Sequence, residues 1–308
     1  FTITASHPGS DTYEPISKDT TFNSIIGTLR FDKDGEWSNV NNWLPVSNLN
    51  KQRNVAPSAV VNAEIAANAT ISNTGTINQI NDITFNGGSL VIADTSALKA
   101  NKITNENAKN LILKASDKGN ATLIYADGTP SATVKMHSKA EYGTTATDGH
   151  HPEWQYMGVA VNGAKVSDFK YNDSRNAWLL KWTESQNTTG DPWSDEPLKA
   201  GTDLKAWAGY SISQPQATTY SLKGTLCKGN QPNGDHIYKL TRTTRDGDTQ
   251  DPDCGFNLLA NSYTAPIDIT KASGVLCWYN HQIYQHEFSM EFNPYYYCWG
   301  NNVSSQIN

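Results

Sequence analysis

Residues 83–113 read ITFNGGSLVIADTSALKANKITNENAKNLIL. Short apolar patches recur in this stretch and on both sides of it, at a step of roughly ten residues from Ile83 onward, with polar or glycine breaks between them. The step is too short for a strand–helix–strand unit, and no helical stripe is present. The pattern therefore predicts either a stacked solenoid of short strands, in the manner of a β-helix, or a meander of hairpins. The patches are Val60-Val61, Ile71, Ile77, Ile83–Phe85, Leu90–Ile92, Ile103, Leu111–Leu113, Leu123-Ile124 and Val134.

Asparagines between the patches favour the solenoid. Asparagine tolerates left-handed backbone angles, and its side chain can hydrogen-bond a neighbouring rung. The meander sandwich remains the alternative. The asparagines are Asn73, Asn81, Asn86, Asn101, Asn105 and Asn110.

Composition supports an all-β chain and excludes some partners. The 308 residues are long enough for two domains and are rich in Asn, Thr, Ser, Gly and Tyr, which favour strands and turns. The net charge of −6 and the lack of a basic run exclude a nucleic-acid partner. No apolar stretch approaches the roughly 20 residues that cross a bilayer, so we expect no membrane-spanning segment.

The pattern divides the chain into three parts. Residues 1–36 form an irregular lead-in segment, and residues 37–150 form the β-solenoid domain, which opens with Trp37 and Trp43. The polar run 143–152 marks a domain border near residue 150. Residues 151–308 carry longer alternating strands, which predict an antiparallel β-sandwich.

The order of motifs resembles one family, the surface and secreted proteins of the Bacteroidota that are exported by the type IX secretion system. The family's short solenoid strands resemble residues 121–124 and 133–134, and its Trp-x-Tyr-x-Gly-x-x-Val strand matches residues 154–161. Its GWNLLGNPYPSAIDW segment resembles residues 255–269, with Phe256, Ala260 and Ser262 as departures. A Gly-Tyr strand at 209–210 and the strand at 222–226 complete the order.

This resemblance implies a location outside the cell, at the exterior of the outer membrane, and a noncatalytic structural or adhesive role. It implies no catalytic residue, because the motif contains none. Partners would be other surface proteins, copies of this chain, glycans or a host surface. Nothing after Tyr295 resembles a C-terminal sorting domain, which suggests that such a domain was removed or lies beyond this sequence. We expect the ends of the solenoid to be ragged and unsealed. Uncapped β-edges can pair with another copy of the chain, which suggests self-assembly into a surface layer or filament.

Two sets of residues are candidate binding sites. Trp178, Trp182, Trp193 and Trp207 could present their rings to sugar faces, as in a carbohydrate-binding module, or could anchor the sandwich core. Asp246, Asp248, Asp251 and Asp253 lie within eight residues and could bind Ca²⁺, although a solvated hairpin loop without a metal is the favoured explanation. We expect no other cofactor.

An enzyme is the less favoured alternative. A polysaccharide-active β-helix needs clustered carboxylates or basic residues on one solenoid face. Between Val60 and Leu113 the acidic residues are Glu64, Asp82, Asp94 and Glu106, and no arginine occurs there. We therefore predict a protein without catalytic activity.

Cysteines are confined to the last third of the chain. Their even number permits two disulfides in an oxidising compartment, with three possible connectivities, and unpaired buried thiols are the alternative. They are Cys227, Cys254, Cys277 and Cys298.

Overall fold

The computed structural model describes residues 2–7, 16–21, 27–46, 55–142, 153–184, 193–239, 241 and 257–267. Within these ranges the regular secondary structure is almost entirely β-strand, with short 3-10 helices at Val40–Asn42 and Val166–Asp168 and no α-helix. The prediction of an all-β solenoid followed by antiparallel sheets is confirmed.

Two large sheets contain most of the strands. The first sheet has the order β14 (Thr122–Asp127), β10 (Ala97–Thr104), β8 (Ile77–Phe85), β6 (Asn62–Ile65), β3 (Thr28–Phe31) and β5 (Trp43–Pro45). The second has the order β17 (Val161–Asn162), β20 (Thr218–Leu226), β15 (Ser131–Ser138), β11 (Leu111–Leu113), β9 (Ser89–Ile92), β7 (Asn68–Ile71) and β4 (Gly35–Glu36).

Three smaller sheets are antiparallel. The pair β1 (Thr2–His7) and β2 (Ile16–Thr21) forms one, and the pair β12 (Ala115–Ser116) and β13 (Gly119–Asn120) forms another. The third has the order β16 (Gln155–Met157), β19 (Tyr210–Ser213) and β18 (Trp178–Lys181).

The solenoid arises because the chain alternates between the two large sheets. Ile83 of β8 pairs in parallel with Ile103 of β10, and Leu90 of β9 pairs with Leu111 of β11. The partners are 20 and 21 positions apart (103 − 83 and 111 − 90). One turn of the solenoid therefore uses two of the ten-residue steps in the sequence, one strand for each sheet.

In-register stacking builds the core. Ile71, Ile92, Leu113, Val134 and Leu222 follow one another across five neighbouring strands of the second sheet. Each of these side chains is at most 2% exposed. Because parallel strands place equivalent side chains above one another, an apolar residue at the same point of each turn fills a continuous column.

The expected asparagine contacts between rungs are present. Each bond joins residues about one turn apart, so the side-chain amides tie neighbouring strands outside the apolar columns. The bonds run from Asn81 Nδ2 to Asn62 Oδ1 (2.8 Å), from Asn101 Nδ2 to Asp82 Oδ1 (3.0 Å) and from Asn105 Nδ2 to the Ser131 carbonyl (2.6 Å).

None of these six asparagines adopts the left-handed backbone conformation that asparagine tolerates. Among the described non-glycine residues, a positive φ occurs at Thr95 and Trp207. Glycines such as Gly87 take that conformation in the turns instead. The asparagines therefore contribute hydrogen bonds between rungs and not turn geometry.

Aromatic rings close the N-terminal end of the solenoid. The ring of Trp43 meets the rings of Phe31 and Trp37 edge-on, with centroids 5.0 and 4.7 Å away. Its indole Nε1–H donates to the Trp37 carbonyl at 2.8 Å, and all three side chains are buried. The first strand of the solenoid, β3, begins at Thr28, inside the part of the chain that the sequence assigned to the lead-in segment.

Elements from the second half of the chain cover the C-terminal end. Strand β20 pairs with β15 in the antiparallel sense, so the second sheet and its core continue past residue 150. At the edge of the first sheet, Leu123 N–H donates to the Thr264 carbonyl and the Thr264 hydroxyl donates to the Leu123 carbonyl, both at 2.8 Å. The C-terminal end of the solenoid is therefore covered and not ragged, so self-assembly loses that part of its premise.

Cys227 is buried, and its Sγ lies 3.9 Å from the Val159 carbonyl oxygen. Burial raises the pKa of the thiol to about 12. Cys254, Cys277 and Cys298 lie outside the described residues, so the disulfide connectivity stays a prediction.

Leu113→Ala should lower the free energy of unfolding by about 2–5 kcal/mol, because it opens a cavity in a column that packed neighbours hold in place. Lys114→Ala is the matched control: its side chain is exposed beside Leu113, and we expect a change within about 0.5 kcal/mol. Urea denaturation of both variants measures the difference. Equal stability of the two variants would contradict the stacked column.

Thr264→Val should lower the free energy of unfolding by about 1–2 kcal/mol, because the buried Leu123 carbonyl loses its hydroxyl donor. Thr264→Ser keeps the hydroxyl and should retain most of the stability. The same denaturation assay compares the two substitutions. A valine variant as stable as the serine variant would show that this bond does not hold the covering segment.

Candidate functional site

The three-stranded sheet β16-β19-β18 has two unlike faces. One face carries Leu179, Ile212, Met157 and Tyr210, which are buried in the main core. Successive strand residues point to opposite faces, so their neighbours lie on the other side of the sheet.

The other face carries aromatic side chains around a central strand of small residues. Leu180 of β18, Ser211 of β19 and Tyr156 of β16 lie in one cross-strand row. Trp178 pairs with Ser213 in the next row. We call this the aromatic face.

Trp182 and Trp193 pack against each other on the aromatic face. They form an isolated antiparallel bridge, and their ring centroids are 5.1 Å apart at an interplanar angle of 82°. Trp193 also lies 5.5 Å from the ring of Tyr156. Because Trp193 contacts rings from both outer strands, it spans the central strand near Ser211, which is only 3% exposed.

Trp178 forms an open platform at the other end of the aromatic face. Its ring stacks on that of Tyr142 with centroids 5.2 Å apart and an interplanar angle of 16°. The backbone N–H of Tyr142 donates to the Gln214 carbonyl at 2.9 Å, next to the end of β19. Trp178 is 49% exposed, so one large ring faces solvent on a support that fixes its orientation.

Burial and hydrogen bonding raise the pKa of the Tyr142 hydroxyl. Burial raises the pKa of Tyr142, and a hydrogen bond with Tyr171 raises it further. The charge of Arg175 acts in the opposite direction and lowers this pKa. The Tyr142 phenol that supports Trp178 is therefore neutral near pH 7.

Trp207 lies in a different cluster, so the structure brings together three of the four predicted tryptophans. Its backbone has φ +68°, an outlier for a bulky residue, and its N–H donates to Ser262 Oγ at 2.8 Å. Its ring stacks on His236 at 3.8 Å and 10°, and Tyr263 meets it edge-on at 4.7 Å. Tyr238 meets it edge-on as well. These contacts anchor the loop that carries His236.

His236 is held neutral in this cluster. Its Nδ1 is buried without a hydrogen-bond partner among the described residues. Burial lowers the pKa of His236 below its ordinary value.

The proposed calcium ligands Asp246, Asp248, Asp251 and Asp253 lie outside the described residues. In the part of the chain that the structure describes, no group of three or more His, Cys, Asp or Glu side chains could hold a metal ion. No helix of that part is long and apolar enough to cross a membrane. The calcium site stays a prediction.

Sequence reasoning missed two residues of the aromatic face: Tyr142 and Tyr156. Tyr156 was within reach, because it alternates with buried Met157 in a predicted strand. Tyr142 sits in a connection between strands, where no periodicity marks the direction of a side chain.

Comparison with known proteins adds no assignment: no family model, no curated protein and no solved structure matches the chain. Function is therefore argued from the aromatic face itself.

His236 should make stability depend on pH. Its folded pKa lies below its unfolded value of about 6.5, so the unfolded chain binds more protons in mild acid, and stability falls as the pH drops through 6.5 toward the folded pKa. His236→Phe keeps a flat ring on Trp207 and removes the titration. Unfolding measured at several pH values should show a steeper acid loss for the unmodified protein than for the variant. Parallel pH profiles would contradict the neutral, buried imidazole.

Proposed function

We propose that this chain is a noncatalytic adhesive protein of the bacterial cell exterior that binds carbohydrate through its aromatic face. The observation that carries the proposal is the half-exposed Trp178 ring, stacked in parallel on Tyr142. The adhesive role and the carbohydrate-binding role are then one function, because the scaffold presents the Trp178 platform and the platform binds the carbohydrate.

Ring chemistry supports carbohydrate as the ligand. A sugar ring has an apolar face of C–H groups and a rim of hydroxyls, so it can cover a flat indole while its polar groups stay in water. Trp and Tyr offer large, rigid contact area at a small cost in conformational entropy. The stack on Tyr142 reduces that cost further, because the Trp178 ring is already oriented before binding.

The scaffold supports an adhesive role. The buried face of β18 and β19 belongs to the same apolar core as the solenoid columns. A force on the aromatic face is therefore transmitted into a stack of paired strands and not into a hinge.

Location outside the cell is part of the proposal. Its support is the resemblance of residues 154–161 and 255–269 to secreted Bacteroidota proteins, together with the polar, turn-rich composition. Contacts with other surface proteins or with further copies of the chain remain compatible with this role. They would use surfaces other than the covered C-terminal end of the solenoid.

Trp178→Ala should weaken binding to a polysaccharide by on the order of tenfold or more, because it removes the exposed ring of the platform. Ile237→Ala is the matched control, since Ile237 is also a large exposed apolar side chain but lies on the loop of the Trp207 cluster. A glycan array selects the ligand, and affinity electrophoresis measures both variants. Equal binding by Trp178→Ala and the unmodified protein would overturn the proposal.

A further inference from the structure

Two tryptophan rings lie along one strand of the aromatic face. Trp178 and Trp182 are four residues apart and point to the same side of the extended chain, with Leu180 between them. At a rise of roughly 3.3 Å per residue, their positions are about 13 Å apart. The three side chains form an apolar strip parallel to β18.

The two ends of this strip are built differently. At one end the Trp178 ring is open and lies flat on Tyr142. At the other end Trp182 meets Trp193 edge-on and is half-buried. A ligand that runs along the strand therefore contacts a broad stacking surface at Trp178 and a smaller ring surface at Trp182.

We propose that the strip binds an internal stretch of a neutral, linear glycan whose chain runs along β18 and covers Trp178 and Trp182 together. This inference rests on the proposed function. A single sugar can cover only one ring, and a compact branched head group does not reach from one ring to the other. An extended chain of sugar units contacts both rings and also the Leu180 side chain between them.

The side chains of the strip favour a neutral chain. Trp178, Leu180 and Trp182 carry no charge that could pair with an ionic group of a glycan. The apolar C–H face of a neutral sugar can cover these side chains while its hydroxyls stay in contact with water.

A length series tests this inference on the full chain. The probes are cello-, xylo- and manno-oligosaccharides, from the monosaccharide through the disaccharide and tetrasaccharide to the hexasaccharide, titrated by calorimetry. Affinity for the bound series should rise by on the order of tenfold between the disaccharide and the hexasaccharide, as the second ring contact is made. Hexasaccharides of uronic acid or of glucosamine should bind more weakly than the neutral hexasaccharide.

Variants separate the two ring contacts. Trp182→Ala should lower the hexasaccharide affinity to that of the disaccharide and leave the disaccharide affinity unchanged, whereas Trp178→Ala should weaken both. Because Trp182 also packs on Trp193, thermal unfolding checks that its variant is folded. If the variant is unfolded, the length series on the unmodified protein decides alone.

The outcomes distinguish this inference from the proposed function. Equal affinity for the monosaccharide and the hexasaccharide, with binding that still depends on Trp178, would overturn the linear site and leave carbohydrate binding intact. Tighter binding of a charged hexasaccharide would overturn the preference for a neutral chain. If no glycan on the array and no oligosaccharide binds, both the linear site and the proposed function are overturned.

Discussion

In-register stacking of successive turns is the constraint on which the rest of the structure depends. A strand of three or four residues such as β11 cannot bury its side chains alone, because it presents only two inward residues. Stacked between β9 and β15, the same residues complete columns such as the one through Ile92, Leu113 and Val134. Each turn is therefore stable only with its neighbours, and both ends of the stack need a cover.

The covers explain why the second half of the chain belongs to the same core. Strand β20 closes the second sheet, and Thr264 satisfies both outward groups of Leu123 at the edge of the first. The covering segment also holds the loop that carries Trp207. Ser262 Oγ accepts the N–H of Trp207 and so supports its left-handed backbone. A proline at position 262 would have no hydroxyl to make that bond.

How far the sequence predicts this fold depends on how local each signal is. The ten-residue step and the asparagines predicted the solenoid, because stacking repeats the same local pattern in every turn. The covered C-terminal end could not be predicted, since the pairing of β15 with β20 joins residues 80 to 94 positions apart (218 − 138 and 225 − 131). For the same reason the border near residue 150, although visible in composition, does not mark the end of the shared core.

The tryptophans show the same limit at the candidate site. Alternation along β18 is enough to place Trp178 and Trp182 on one side of the strand, but it cannot say which ring another loop covers. Trp193 arrives from a separate segment and packs on Trp182, while Tyr142 arrives beneath Trp178 and leaves half of that ring exposed. Both sequence interpretations of these aromatics therefore apply. Trp193 packs on Trp182 and helps to cover the sheet, Trp182 keeps part of its own ring exposed, and Trp178 faces outward.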